Sequence, residues 1–304
     1  MASGYTVTGL TAYVEENKDQ LFRKLILAGD TASLIRKQLG VKTKERLHIF
    51  DYDAVLQDGK GCGFNASGST KLSEREIETA IFKVNDQWCP DDLLGKYAEY
   101  LVTIGATEEN LPFEQYILDG LVRSIDKQME KMIWQGDKAD TGATDLIDGF
   151  ITIAEGADSA STITASTASG ANVYDMIIAG YKLVPEEILD RAMAFVSPAN
   201  FRELMLYLVE NFKYNASLMN AETKEVTIPG TDLRVHKTIG LAGVNDKVYF
   251  GDPNNMVLGA DLLSNMEEVK IWFSNDDDVW KVKVKFNTGV QTIFPDEIVV
   301  VSKA

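Results

Sequence analysis

The stretch LPFEQYILDGLVRSIDKQMEKMIWQG, residues 111–136, decides how this chain must be built. Pro112 stands where a first helical turn begins and its missing N–H costs nothing; Gly136 stands just past the end. Between them Phe113, Ile117, Leu121, Ile125, Met129 and Met132/Ile133 recur every three or four residues. Arg123, Asp126, Lys127, Glu130 and Lys131 occupy the rest of the surface. Such a helix is a rod of roughly 36 Å. Its methionine-bearing stripe reads as core and not as a cofactor box. The spacing therefore predicts a spine helix that needs a long apolar surface to lie on.

That surface is found near the end of the chain. Trp280, Val282, Val284 and Phe286 alternate with Lys281, Lys283 and Lys285, the period of a half-buried strand. A closing strand is expected over Glu297–Val301. Between spine and strand, residues 157–171 (ADSASTITASTASGA) are low in complexity and predict a loop or flexible connection. A compact α/β pattern follows. Asn172 can cap a helix carrying Val173, Met176, Ile177 and Tyr181. Ala192–Val196 reads as a buried strand, and Ser197-Pro198 opens a helix with Phe201, Leu204, Met205, Leu208 and Phe212 on one face. Strand-like runs follow at Glu225–Ile228, Leu233–Ile239 and Lys247–Gly251.

Upstream of the spine the character changes. Residues 48–89 are extended, with a glycine-rich centre at Gly59–Gly63 and a turn signal at Asn65–Ser69. Thr70–Glu78 is polar on both faces; only later do Ala80, Phe82 and Val84 line one side. A polar two-stranded hairpin is marginal alone in water and needs another surface. Residues 1–47 read as an arm, with a thin helical stripe of Val14, Leu21, Leu25 and Ile26 within Thr11–Gly29.

Composition excludes several classes of function. The 304 residues carry a net charge of −16, and the densest basic stretch, Val41–Arg46, is too short to grip phosphates, so sequence-specific nucleic-acid binding is not expected. No apolar run is long enough to cross a bilayer, and Met1–Tyr5 does not open a signal peptide, so neither a membrane partner nor secretion is expected. Cys62 and Cys89 make no disulfide framework and no zinc motif. No phosphate-binding loop or nucleophile elbow occurs. His48 and His236 each lie in a strand-like run, and nothing orients either toward Cys62 or Cys89 as a nucleophile pair. Asn275-Asp276-Asp277-Asp278 has oxygen ligands for calcium but not the spacing of a calcium loop, and reads as a solvated turn. The Asn65 and Asn215 glycosylation patterns mean nothing without a secretion signal. No catalytic, cofactor-binding or metal-binding residue is assigned.

The order of these parts resembles the Hong Kong 97-type major capsid protein of tailed bacteriophages. The resemblance is carried by Asp119–Lys127 through Trp134-Gln135-Gly136-Asp137, similar to the end of the family's spine helix, and by Phe195–Phe201 at a strand-to-helix step. Ile228-Pro229-Gly230 with Val235-His236, Val248–Asp252, Ser274–Phe286, and Phe64–Thr70 through Trp88–Leu93 carry it further. The fold implied is α+β: an N-terminal arm (1–47), an extended β-hairpin loop (48–89), a peripheral domain with the spine helix (90–143 and 271–290) and an axial domain (144–270 and 291–304). The function implied is self-assembly, through pentamers and hexamers, into the icosahedral head shell of a double-stranded DNA phage. The implied location is the virion, after assembly in the host cytoplasm. Portal, scaffolding and decoration proteins are the implied partners, and the DNA is enclosed without sequence-specific binding. The arm begins almost at Met1, leaving no room for a cleaved scaffolding segment, so a separate scaffolding protein is expected. Some members cross-link Lys to Asn between subunits. Lys60 and Lys71 lie in the hairpin and Asn287 follows the last long strand, but no carboxylate pairs with them. The alternatives are an encapsulin-type bacterial compartment shell and, from another class, an unrecognised cytoplasmic enzyme.

Overall fold

The computed structural model describes residues 29–56, 68–89, 113–142, 146–156, 162–167, 170, 172–212, 219–220, 225–261 and 268–303. The expected arm helix, the Gly59–Gly63 centre with Cys62, Pro112 and both glycosylation patterns lie outside these residues.

The long helix, α2 (Phe113–Gln135), stops as expected before Gly136. A side chain at Gly136 would come within 2.5 Å of the Ile147 carbonyl. Leu118, Ile125, Met129, Met132, Ile133 and Trp134 are buried. One expectation is overturned: Glu130 is not on a charged outer face but buried. The segment Gly29–Thr31 at the start of a short helix, α1 (Asp30–Leu34), covers it and supplies two of its donors.

Five strands form the sheet on which α2 rests. They are β1 (Arg36–Leu39), β4 (Ala80–Trp88), β11 (Met256–Ala260), β12 (Glu268–Ser274) and β13 (Val279–Thr292). β13 alternates as its sequence demands: Trp280, Val282, Val284 and Phe286 share a core with α2, and Phe82 of β4 stacks on Phe286 at 5.5 Å. β12 and β13 are joined by Asn275–Asp278, where Asp278 takes a left-handed φ of 54° and Asp277 is held by Ser274 and Lys281. The solvated-turn reading of this stretch holds. Asn287, expected after the last long strand, lies buried within β13 instead.

A seven-stranded sheet runs in the order β5 (Ile163–Thr167), β14 (Val299–Lys303), β10 (Lys247–Gly251), β6 (Met193–Val196), β9 (Arg234–Lys237), β8 (Glu225–Thr227), β7 (Met219–Asn220). Its central strands read as unbroken apolar runs because both faces are covered. Met193, Phe195, Tyr249 and Val300 join the core of α2 and of α3 (Phe150–Glu155). Ala194, Val196, Val248, Phe250, Val299 and Val301 face the other way, against α4 (Val173–Tyr181) and α5 (Pro198–Phe212). Asn172 caps α4 by accepting from the Asp175 N–H, and Ser197 Oγ accepts from the Asn200 N–H at the start of α5.

Two further expectations are corrected. Part of the low-complexity stretch is strand: β5 adds in parallel to β14, alternating half-buried Ile163, Ala165 and Thr167 with exposed residues. The closing strand starts later than Glu297, which lies in a 3-10 turn (Pro295–Glu297).

Candidate assembly surfaces

β2 (Lys44–Ala54) and β3 (Gly68–Glu78) form a two-stranded antiparallel sheet of eleven register pairs, from Lys44↔Glu78 to Ala54↔Gly68. At about 3.4 Å per residue this ribbon is about 37 Å long. Among the described residues its anchorage is at the root. Leu47 and Ile77 enter a small core with Val41, Val257 and Ile293. On the opposite face of the same stretch runs a charge ladder: Lys44 to Glu76 at 2.7 Å, Arg46 to Glu74 at 3.0 Å, and Lys138 to Glu78. Lys138 and Lys44 hold the Glu78 carboxyl below the usual carboxylate range. Val55 and Leu56, past the end of β2, are exposed, Leu56 to 98%.

The root sits in a hollow made by two glycines. Gly259 of β11 and Gly289 of β13 are register partners. A side chain at Gly289 would reach 2.0 Å from the Glu78 carbonyl, and one at Gly259 would reach 2.8 Å from Ile77. At Thr79 the chain turns off the hairpin, its N–H donating to the Thr43 carbonyl, and β4 then enters the large sheet. The extended stretch read from the sequence is therefore two structures.

The outer face of the large sheet is basic, which the linear search for basic runs missed. β4 and β12 flank β13, setting Lys285 beside Lys83, Lys283 beside Lys270, and Lys281 between Gln87 and Trp272. Trp272 is 41% exposed. A cleft of about 490 Å³ opens here, lined by Lys83, Asp86, Trp272, Lys281 and Lys283 among others. The alternating lysines of β13 were the available signal; which strands would flank them was not legible.

A third feature joins the chain's early segment to the spine. Glu130 accepts from the Thr31 N–H (2.8 Å), Thr31 Oγ1 (2.6 Å) and, at longer range, Thr238 Oγ1 (3.4 Å). Trp134 Nε1 donates to Thr31 Oγ1 at 2.8 Å, and its ring packs against Phe150, Phe195 and Tyr249. Burial pushes the Glu130 carboxyl above the usual range, the hydrogen bonds from Thr31 oppose this, and Asp126 and Asp30 add to the rise.

The residues weighed as chemistry do not converge. His48 is exposed on the hairpin 3.4 Å from Glu74. His236 is buried in the seven-stranded sheet with Nδ1 3.6 Å from Glu225. Cys89 is an exposed free thiol just past β4. Asn287 Nδ2 donates to the Val41 and Lys42 carbonyls, while Lys60 lies outside the described residues, as does the side chain of Lys71. Among the described residues no three His, Cys, Asp or Glu side chains gather as metal ligands, and no helix is long and apolar enough to cross a membrane.

No protein-family model matches the sequence, and no curated protein matches it. Solved structures do. A chain of the satellite phage P4 procapsid, which includes the size determination (Sid) protein, superposes with a TM-score of 0.66 at 11% identity, covering 100% of this chain and 98% of that one. The capsid of an empty GTA particle gives 0.61 at 12% identity, covering 92% and 90%. The fold is that of phage capsid proteins. The same fold extends to a virus-like particle from Pyrococcus furiosus, with a TM-score of 0.51 at 10% identity, covering 97% and 99%. Within the phage-capsid fold the long helix, the large sheet and the hairpin hold the order expected from sequence.

Proposed function

We propose that this protein is the major capsid protein of a tailed double-stranded DNA phage, a shell subunit and not an enzyme. The observation that carries the reading is fold likeness to capsid chains along 90% or more of both partners. The hairpin supports it: a two-stranded ribbon about 37 Å long, anchored among the described residues at its root, is costly for a lone subunit and useful in a lattice. Assembly buries such segments and stabilises by mass action what the monomer cannot. In this reading residues 1–47 are the arm, and 48–89 are the extended loop together with the strand by which it rejoins the large sheet. The peripheral domain is 90–143 with 271–290, and the axial domain is 144–270 with 291–304. Pentamers and hexamers close the head, a portal and a separate scaffolding protein join it, decoration proteins add outside, and the host cytoplasm is the place of assembly.

The test is negative-stain electron microscopy of the protein expressed alone and with its neighbouring genes. Closed shells or regular tubes are expected; a persistent monomer under both conditions would overturn the proposal. The Pyrococcus furiosus particle favours one second reading, a compartment shell of the encapsulin type. Nuclease-resistant DNA inside the particles marks the phage head, and a co-purifying enzyme marks the compartment.

A further inference from the structure

We propose that the contact of Thr31 with Glu130 is a latch worked by one proton: it holds the early segment on the long helix while the Glu130 carboxyl is neutral, and lets that segment go when the carboxyl ionises. The inference concerns the lone subunit and goes beyond the shell reading without resting on it.

The segment has little else to hold it. α1 is five residues long, far short of the length at which a helix is stable alone. Ala32 and Ile35 are buried in the core shared with α2, Leu34 packs against that core, and strand pairing begins only at Arg36 of β1. The polar part of the joint is made by Thr31. Its N–H meets Glu130 Oε1 at 2.8 Å, its Oγ1 meets Oε2 at 2.6 Å, and Trp134 Nε1 donates to the same Oγ1. Glu130 is 2% exposed, so the joint is closed to solvent.

The charges around this carboxyl oppose its ionisation, and burial acts the same way. α1 brings Asp30, α2 brings Asp126 one turn earlier, and the residue before the turn Ile239–Leu241 is the neutral Thr238. A side chain at Gly29 would come within 2.8 Å of Glu130 Oε1 and 2.9 Å of Asp126 Oδ1, so both carboxylates crowd one patch of backbone. Lys127 and Lys131 of α2 are exposed, and Lys237, beside Thr238, sets its ammonium over the Phe201 ring. The neutral carboxyl keeps every contact of the joint. Protonated at Oε2, it donates to Thr31 Oγ1, whose own hydrogen turns to Thr238 Oγ1 at 3.0 Å; Oε1 still accepts from the Thr31 N–H. Released, Glu130 is solvated and titrates near the ordinary glutamate value; docked, it holds its proton to higher pH. Docking is therefore strongest below the ordinary value. It weakens as pH rises through the raised one, by at most about tenfold per pH unit for one proton.

The test is hydrogen exchange of the dispersed full-length subunit between pH 5 and 8. Each rate is divided by the unfolded-chain rate at that pH to give an opening constant. The reporters are the Thr31 amide, bound to Glu130, and the Ser33 and Ile35 amides, bound to the Gly29 and Thr31 carbonyls. Buried Leu204 and Leu208 of α5 report opening of the whole subunit. Opening constants in α1 are expected to exceed those in α5 at least tenfold, and to rise by roughly three- to tenfold per pH unit over part of the range. Glu130→Gln, which keeps the shape and cannot ionise, should give a flat profile. Asp126→Asn, which removes one repelling charge, should cut the total rise at least twofold. A flat wild-type profile overturns the latch whether or not the variants fold. A Glu130→Gln profile as steep as wild type, an undiminished rise in Asp126→Asn, or equal opening constants in α1 and α5 would overturn it too. No particle enters the measurement, so failure of the shell reading and failure of the latch are separate results.

Discussion

At Glu130 a single carboxylate fixes how the early segment meets the spine. Its donors are all neutral, Thr31 N–H, Thr31 Oγ1 and Thr238 Oγ1, and its burial raises the pH at which it loses its proton. The native carboxyl therefore holds its proton to higher pH than the unfolded chain does. Between the unfolded value, about 4.3, and the raised native one, the native state binds more protons, so this group's contribution to stability falls as pH rises. Glu130→Gln is expected to flatten that slope, read as thermal midpoints of the dispersed subunit across pH 4 to 8; a variant slope equal to wild type would refute the assignment. Glu130→Ala leaves the Thr31 N–H and one of the two hydroxyls, Thr31 Oγ1 or Thr238 Oγ1, without an acceptor and should cost about 2–4 kcal/mol. The same joint needs bare backbone at Gly240, where a side chain would meet Trp134 at 2.2 Å and the Glu130 carbonyl at 2.4 Å. None of this was legible in the sequence. A glutamate on a helix otherwise rich in charge reads as solvated until the covering segment, 99 residues away, is in place.

Among the elements, those with an open period and the bounded apolar runs of β6 and β10 were legible, while β11 and β5 were not. The long helix and the alternating β13 carry their period openly. The five residues of β11 are all buried, so no alternation marks them, and β5 hides in Ser/Thr/Ala repeats because an edge strand needs only a half-buried face. The divided fate of residues 68–88 was half visible, in the change from polar to alternating near Ala80. What directs the division is the glycine hollow, and paired glycines 30 residues apart show no pattern in one sequence. Gly289→Ala is expected to push Glu78 out of that hollow and loosen the hairpin root by 1–3 kcal/mol, the range of overpacking costs. Faster hydrogen exchange at Ile77 and Thr79, with exchange in α5 unchanged, is the expected signature; uniform change across the subunit would place the damage elsewhere. In wild type, amides along β2 and β3 beyond the root should exchange at least tenfold more slowly in particles than in dispersed subunits, if a neighbour covers the ribbon.

For the molecule as a whole, the seven-stranded sheet decides how it unfolds. Phe195 points into the core shared with the long helix, while Ala194 and Val196 beside it point into the core under α4 and α5. Tyr249 and Val300 divide in the same way from Val248, Phe250, Val299 and Val301. Neither core can come apart without stripping one face of strands that the other needs. The two cores are therefore expected to melt as one cooperative unit, with calorimetric and van't Hoff enthalpies in agreement, provided melting of the dispersed subunit is reversible. Phe195→Ala should cost about 3–5 kcal/mol and lower that single transition by roughly 2–4 °C per kcal/mol. Val196→Ala, on the opposite face, should lower the same transition. Two transitions, each answering to one of the variants, would show that the sheet does not couple its sides. The hairpin lies outside both cores, tied to its own small cluster of Val41, Leu47, Ile77, Val257 and Ile293. A two-core body whose ribbon is tied, among the described residues, to a cluster of its own can adjust contacts made through the ribbon at low cost in core packing, which is what the proposed shell would ask of it.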